Sequence, residues 1–518
     1  MLDIGIVVMK KSLFKSTVTF SFMTIISRMT GLLRELVFAY VFGATAGLDA
    51  FYIALRIPNF FRSLFAEGAF SQAFVPVLSE YRYNRSIQEV RLFLDQMAGL
   101  MLTVLFIFTI IAIVITPWLV YIFAPGYIHD PGRLELTAVM LRITFPYILF
   151  ISLAAYVGGI LNTYGKFGVP AFTPNLLNLA LVGAAVWLAP YFAQPVQALA
   201  WGIFIGGAAQ LLFQLPFLYK LNLLPRPRII WRDSGVKRVL RLMLPAILGV
   251  SVAQISLLLD NILGSFLRAG SISWLNFSSR LTLFPLGVFG IAIATVVLPH
   301  LARKYAAQSH KEFSETLDWA LQVVFLIAIP AAIGVSLLAG PIITTLLQYG
   351  KFTEFDVFMV RRSVWGFAVG IPAFMLVKVF ATVFYSRQNI KTPVKIAIVA
   401  VIFNICFAMG LLFPLKHAGL ALATSLTSMF NAGLLFWIIK KNKYYVSKAG
   451  WKIFWVQLLV ANLILALFLW VAAADLTMWL HWDAITRIWH LAILCLAAIT
   501  IYFLCLWVGG IKLRRFIL

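Results

Sequence analysis

The feature that most constrains this chain is a set of charged side chains inside apolar segments long enough to cross a membrane. Between Ser27 and Pro76 the set comprises Arg28, Arg34, Glu35, Asp49, Arg56, Arg62 and Glu67. An ionised side chain at the bilayer centre costs about 2.5–3.5 kcal/mol on insertion scales, so it normally faces a bundle interior or a water-filled cavity. This stretch therefore predicts a helical membrane protein with a water-filled, arginine-lined cavity suited to an anion.

The composition also indicates a polytopic membrane protein. Of the 518 residues, 62% are hydrophobic and only 12% are charged, whereas soluble domains average about 25% charged residues. The formal net charge is +24, but the basic residues collect in short loops, as is typical of the cytoplasmic side of a membrane protein. No nucleic-acid recognition motif accompanies them, so nucleic acid is not an expected partner.

Apolar runs of membrane-spanning length predict an all-α polytopic protein with about fourteen transmembrane helices. Their expected bounds are 14–40, 47–78, 88–118, 134–160, 172–191, 196–219, 236–267, 271–301, 312–339, 355–386, 393–413, 418–440, 452–473 and 486–511. Basic residues such as Arg82 and Lys440 follow the even-numbered helices, so both termini are expected in the cytoplasm. Charged residues interrupt the first apolar run, which favours a retained helix over a cleaved signal peptide.

The chain also repeats itself. Pro117 and Gly126 recur as Pro341 and Gly350, both 224 positions later. Six helices separate the copies, and this even number gives both halves the same membrane orientation, with a substrate site expected between them. We therefore predict an N-lobe of helices 1–6 at 1–222 and a C-lobe of helices 7–12 at 223–445 around a central cavity. Helices 13 and 14, at 446–518, form an extension outside the repeat.

Helical spacing places several polar residues of the second span on one face. Asp49, Arg56 and Ser63 are seven residues apart, Asn59 joins their stripe, and Arg62 lies on its shoulder. Acid and base on one stripe can pair when the cavity is empty and then release arginine to an anionic guest. Arginine suits phosphate because its planar fork donates two parallel hydrogen bonds and stays charged.

The first span and the second half add further candidates. Arg28 and Glu35 are also seven residues apart. Arg280 stands at roughly the repeat equivalent of Arg56, and Asp260 lies deep enough in its span to be a candidate for ion coupling.

Enzyme motifs are missing from the sequence. No G-x-x-x-x-G-K-[ST] motif is present, which excludes ATP hydrolysis by this chain. The histidines, cysteines and acids do not occur at metal-ligand spacing, so no cofactor or metal and no catalytic residue is predicted.

Segments along nearly the whole chain carry a family resemblance. They include SRMTGLLRE, LDAFYIALRIPNFFRSLFAEGAFSQAFVPVLSEY, RITFPYILFISLAAYVGGILNTYGKF, PAILGVSVAQISLLLDNILGSFLRAGSISWLNFSSRL, LLQYGKF and FYSRQNIKTPVKIAI. These segments resemble the bacterial MurJ (MviN) lipid II flippases of the multidrug/oligosaccharidyl-lipid/polysaccharide (MOP) exporter superfamily.

The resemblance implies translocation of the undecaprenyl-pyrophosphate-linked peptidoglycan precursor, lipid II, across the bacterial cytoplasmic (inner) membrane. The arginines that the family requires fall on Arg28 and Arg34 of SRMTGLLRE, Arg62 of NFFRSLFAEG and Arg280 of NFSSRL, and the acid of the LDAF motif falls on Asp49. Expected partners are lipid II and membrane lipids, and a monomer is expected. H⁺, Na⁺ and the membrane potential all remain open as the driving force.

The main alternative is a relative in the same superfamily that exports another lipid-linked oligosaccharide. A drug exporter would be expected to have an acid-dominated cavity, and a membrane enzyme would need an acid pair or a nucleophile arrangement that this sequence does not have. A scaffold without a transport role would leave the intramembrane charges unexplained.

Overall fold

The computed structural model of the protein describes residues 23, 25–63, 68–229, 233–448, 450–473 and 475–511. Within these ranges the secondary structure is helical and contains no strand. The chain forms two compact units, Met1–Gly270 (unit 1) and Ser271–Leu518 (unit 2).

Unit 1 contains the first ten helices of the described chain. They are α1 (25–42), α2 (Ala46–Arg62), α3 (Ala69–Asn84), α4 (Ile87–Val114), α5 (Thr116–Phe123), α6 (Pro131–Thr144), α7 (Pro146–Thr163), α8 (Gly168–Gly183), α9 (Gln197–Lys220) and α10 (Ser234–Gly264). Short 3₁₀ helices cover Pro125–His129 and Ala189–Tyr191, and a π-helical turn covers Ala184–Leu188.

Unit 2 contains the remaining helices. They are α11 (Ser271–Thr282), α12 (Ile291–Ala306), α13 (His310–Leu337), α14 (Ala339–Leu347), α15 (Glu354–Ala368), α16 (Ile371–Tyr385), α17 (Lys391–Leu415), α18 (His417–Lys441), α19 (Trp451–Ala472), α20 (Leu476–His481) and α21 (Ala484–Val508). A π-helical turn at Leu286–Gly290 precedes α12.

The all-α membrane architecture expected from the sequence is confirmed. In the described part of the chain, 11 helical segments are long and apolar enough to cross a membrane, and each overlaps one predicted span. The other predicted spans are 14–40 and 47–78, which include residues outside the description, and 236–267, which lies on α10. The total of fourteen stays a prediction.

Prolines interrupt four spans that the sequence analysis treats as single helices. The span 271–301 is divided between α11, which ends at Thr282, and α12, with Pro285 between them. α4 ends at Val114, before Pro117, and not at 118. The span 134–160 is divided between α6 and α7 just before Pro146, and the span 355–386 is divided between α15 and α16 just before Pro372. Proline lacks a backbone N–H and disfavours helical geometry in the preceding residue, so the helix ladder is broken at each of these points.

The two units repeat one order of helices. α4 and α13 are each 28 residues long, and each is followed by a short helix, an interrupted span and two long helices.

α10 packs on α3 within unit 1, so the compact unit ends at Gly270, one helix beyond the predicted lobe boundary at 222/223. That lobe boundary stays a prediction.

A buried aspartate at the same position in each repeat binds a connecting segment. This segment follows α9 in the first repeat and α18 in the second. The Asp95 carboxylate accepts the Arg226 backbone N–H at 2.7 Å, and the Asp318 carboxylate accepts the Lys448 backbone N–H at 3.0 Å. Asp95 is 8% exposed and Asp318 is 4% exposed. Each carboxylate therefore holds a connecting segment against the helix that carries the aspartate, which is α4 for Asp95 and α13 for Asp318.

The described residues of the predicted extension, 446–518, pack on the rest of unit 2 through buried polar contacts. The Arg487 guanidinium donates to the carbonyl oxygens of Thr344 at 3.1 Å and Leu480 at 2.9 Å, which joins α21 to α14. The Tyr502 hydroxyl donates to the Leu326 carbonyl oxygen at 2.8 Å, which joins α21 to α13. Carbonyl oxygens near the C-terminal end of α14 carry partial negative charge, which favours the guanidinium there.

The close approach of the 221–229 segment to α4 gives a testable prediction. A Cβ at Gly99 would lie 2.1 Å from the Arg228 carbonyl oxygen, whereas a Cβ at Gly433 meets nothing within 4 Å. Gly99→Ala should lower the midpoint of thermal unfolding because the segment must move away from α4. Gly433→Ala should leave the midpoint unchanged or raise it, since alanine is favoured over glycine in a helix by about 1 kcal/mol. Equal midpoints for the two purified variants would contradict this packing.

Candidate functional site

Arg34 on α1 forms a buried ion pair with its neighbour Glu35. The Arg34 Nη2 atom lies 2.5 Å from Glu35 Oε1, and the two side chains are 12% and 4% exposed. The Tyr52 hydroxyl on α2 donates to Glu35 Oε2 at 2.8 Å. Each carboxylate oxygen of Glu35 thus has a donor, and the acid joins α1 to α2.

A second contact holds Arg34 from α8. Its Nη1 atom donates to Asn178 Oδ1 at 3.1 Å. The Asn178 Nδ2 atom donates in turn to Thr30 Oγ1 at 3.0 Å, and the Thr30 hydroxyl donates to Asn175 Oδ1 at 2.9 Å. Asn175 and Asn178 are 1% and 7% exposed. This amide–hydroxyl network fixes the Asn178 side chain with its oxygen toward the guanidinium.

Sequence analysis did not identify Asn175 and Asn178. A signal was present, because TPNLLN places two amides three residues apart, on one face of a helix, just after Pro174. Uncharged amides are common in membrane helices, however, and nothing in the spacing indicates α1 as their partner.

Two contacts involve the predicted residues of α2. One joins Arg62 to Asn59, and the other joins Asp49 to the backbone of Gly270. The Arg62 Nε atom donates to Asn59 Oδ1 at 3.1 Å, as expected for neighbours three residues apart. Asp49, predicted on the same stripe, is 1% exposed, and its Oδ2 accepts the Gly270 backbone N–H at 2.7 Å. Gly270 has φ +93°, a conformation that favours glycine. Asp49 therefore holds the last residue of unit 1.

The remaining predicted residues are distributed over the chain. Arg56 on α2 is half-buried and interacts electrostatically with Asp260 on α10, whose Oδ1 is buried without a hydrogen-bond partner among the described residues. Arg28 lies on α1 and is exposed. Arg280 is exposed in the last turn of α11 in unit 2. Glu67 lies outside the described residues.

The arrangement is suited to binding an anion. Arg34 is fixed by a carboxylate and an amide, and Arg62 is oriented by an amide, so the side-chain freedom of both guanidinium groups is restricted. A fixed guanidinium loses less side-chain freedom on binding than a mobile one. Within the described part of the chain, no group of three or more His, Cys, Asp or Glu residues could hold a metal ion.

Comparisons with known proteins assign the family. The family model for the lipid II flippase MurJ matches residues 38–490. A Haemophilus influenzae protein named probable lipid II flippase MurJ is 43% identical over 494 residues, which cover 93% of this chain and 96% of that protein.

Solved structures agree with this assignment. A structure described as lipid II flippase MurJ in an inward closed conformation matches with a TM-score of 0.80 at 27% identity, covering 96% of this chain and 99% of that one. An inward-facing multidrug resistance MATE family transporter of the MOP superfamily matches with a TM-score of 0.66 at 13% identity, over 82% of this chain and 97% of that one. At that identity the second likeness shows the shared fold alone.

The family model covers most of the chain, the relative aligns over nearly its whole length, and the helical membrane architecture agrees with both. This multi-pass membrane protein belongs to the MurJ lipid II flippase family.

Proposed function

We propose that this chain moves lipid II from the cytoplasmic to the periplasmic leaflet by alternating access, with the pyrophosphate held by arginines. The observation that carries the proposal is Arg34 of this MurJ-family chain, an arginine whose side chain is 12% exposed and is already fixed by Glu35 and Asn178. The arginine sites at Arg28, Arg62 and Arg280 supply the further positive charge that a pyrophosphate requires.

The geometry of Arg34 supports exchange between an internal and an external anion. Nη1 and Nη2 are bound within the protein, while Nε is buried without a hydrogen-bond partner among the described residues. An arriving pyrophosphate competes with Glu35 for the guanidinium. Glu35 then keeps the hydrogen bond from Tyr52, so its charge is not left without a donor. Retaining that donor lowers the cost of separating the pair, because unsatisfied buried charges are strongly unfavourable.

The proposed cycle needs a driving force but no chemical step on the substrate. Asp260, beside Arg56, is the candidate residue for coupling to H⁺ or Na⁺, with the membrane potential as the alternative drive. The potential supplies about 2.3 kcal/mol per elementary charge per 100 mV, so it can act on an anion that crosses with its arginines. The protein acts as a monomer without a cofactor, and both termini lie in the cytoplasm.

Complementation tests the proposal directly. In a strain depleted of its own lipid II flippase, the intact chain should restore growth and place lipid II in the outer leaflet. Arg28→Ala, Arg34→Ala, Arg62→Ala and Arg280→Ala should each lower translocation about tenfold or more, since a charge-assisted hydrogen bond contributes about 1.5–3 kcal/mol.

The matched control is Arg85→Ala, which removes an arginine from a surface pair with Glu89 whose side chains are 55% and 47% exposed. This variant should translocate normally. If the four variants Arg28→Ala, Arg34→Ala, Arg62→Ala and Arg280→Ala also rescue at normal expression, the arginine site is wrong although the flippase proposal stands. If the intact chain is well expressed but does not rescue, the substrate is another lipid-linked glycan.

A second prediction separates charge from geometry at Arg34. Arg34→Lys keeps the positive charge but loses the fork that contacts Glu35 and Asn178 together. We expect a large loss of translocation for Arg34→Lys and for Glu35→Gln. Tyr52→Phe keeps the ion pair and should cost about 1 kcal/mol of stability with a smaller loss of activity. Full activity of Arg34→Lys in the outer-leaflet assay would show that charge alone suffices.

A further inference from the structure

A cavity of about 440 Å³ lies between α12 and α13 in unit 2, and none of the predicted substrate-binding arginines lines it. Val296, His300 and Lys304 line it from α12, at intervals of four residues. Glu312, Glu315 and Trp319 line it from α13, at intervals of three and four. These intervals place each set on one face of its helix, so the cavity is a groove between two opposed faces. Its volume falls in the range of about 300–1,000 Å³ typical of small-molecule sites.

The groove changes from ionic to apolar along its length. Lys304 and Glu312 lie next to the turn that joins α12 to α13, whereas Val296 and Trp319 lie further along the two helices. Eight residues separate Lys304 from Val296, which corresponds to about 12 Å along a helix. Tryptophan is common where the head-group region of a membrane meets the acyl chains. This gradient matches an amphiphile with a charged head group at the turn and an acyl chain beside Val296 and Trp319.

The charges of the groove select among head groups. Its lining includes two carboxylates, Glu312 and Glu315, and one ammonium group, Lys304, which is bonded to Glu312. The partner of Glu315 is Lys448 at 3.6 Å, and these side chains are 42% and 57% exposed. Exposed pairs of this kind contribute little, so a ligand ammonium can replace Lys448 at small cost. The lining itself therefore carries one more carboxylate than ammonium, and Lys448 balances it from outside the lining.

We propose that this groove binds a zwitterionic phospholipid with a primary ammonium head group, such as phosphatidylethanolamine. The phosphate lies toward Lys304 and the ammonium toward Glu315. The part of the acyl chain nearest the head group lies beside Val296 and Trp319. A primary ammonium donates up to three hydrogen bonds and can therefore serve both carboxylates, which a quaternary ammonium cannot do. An anionic lipid without an ammonium group cannot replace Lys448 at Glu315 and is disfavoured.

The test uses the purified, delipidated full chain and native mass spectrometry with dioleoyl lipids. Phosphatidylethanolamine should bind about fivefold more tightly than phosphatidylglycerol, the size expected for one partly exposed charge contact. Phosphatidylcholine should be weaker than phosphatidylethanolamine. Glu312→Gln/Glu315→Gln should bring the preference close to one, whereas Glu354→Gln, an exposed acid in the first turn of α15, should leave it intact.

Two further variants keep the test decisive. If the double variant does not fold, Glu315→Gln alone tests the same contact at a partly exposed position. Thr316→Trp should reduce binding of every lipid because Thr316 lines the groove and the larger side chain fills it.

Three results would overturn the proposal: no preference for phosphatidylethanolamine in the intact chain, identical behaviour of the glutamate variants and Glu354→Gln, or full competition by soluble glycerophosphoethanolamine. The last result would mean that the acyl chain contributes nothing. Arg34→Ala should keep the lipid preference, so failure here is separable from failure of the flippase proposal.

Discussion

The fold around the candidate site depends on the ion pair between Arg34 and Glu35 on α1. An isolated charge would be prohibitive in a dry interior, and a buried pair is tolerated only when further hydrogen bonds satisfy both partners. Arg34 and Glu35 meet this condition with one donor from α2, Tyr52, and one acceptor from α8, Asn178. Three helices are thereby fixed around one ion pair. The residues proposed to bind the substrate are also residues that hold unit 1 together, so their removal should affect both stability and transport.

The internal repeat preserves interactions more faithfully than residue types. Asp95 and Asp318 are 223 positions apart and perform the same task for two connecting segments. At the same offset of 223 positions, Arg82 corresponds to Tyr305 and Tyr164 corresponds to Arg387, so the arginine and the tyrosine are interchanged between the repeats. The Arg82 guanidinium lies 4.5 Å from the Tyr164 ring centroid in unit 1, and the Arg387 guanidinium lies 4.6 Å from the Tyr305 ring centroid in unit 2. A cation–π contact is unchanged when its two members swap helices, so this contact persists although neither position keeps its residue.

Much of the fold followed from the sequence because membrane helices require long apolar runs, and their approximate bounds could be read directly. The arginines of the candidate site were found because charge is rare in such runs. The interruptions before Pro146 and Pro372 were missed because proline is tolerated inside membrane helices when neighbours satisfy the freed groups, as at Pro58 in α2. Asn178 was missed for a different reason. Its role arises from the packing of α8 against α1, a long-range contact that no local spacing encodes.

Buried acids in this chain do not form one functional class. Among the described residues, four aspartates are less than a tenth exposed, and each accepts a backbone N–H: Asp49 from Gly270, Asp95 from Arg226, Asp318 from Lys448 and Asp356 from Thr353. A short carboxylate close to its own helix is well placed to bind a neighbouring main chain, and each such bond satisfies part of its charge. Glu35 is longer and reaches the Arg34 guanidinium. An inventory of intramembrane charges therefore overestimates the number of candidate substrate-binding groups, because these four aspartates position the polypeptide chain.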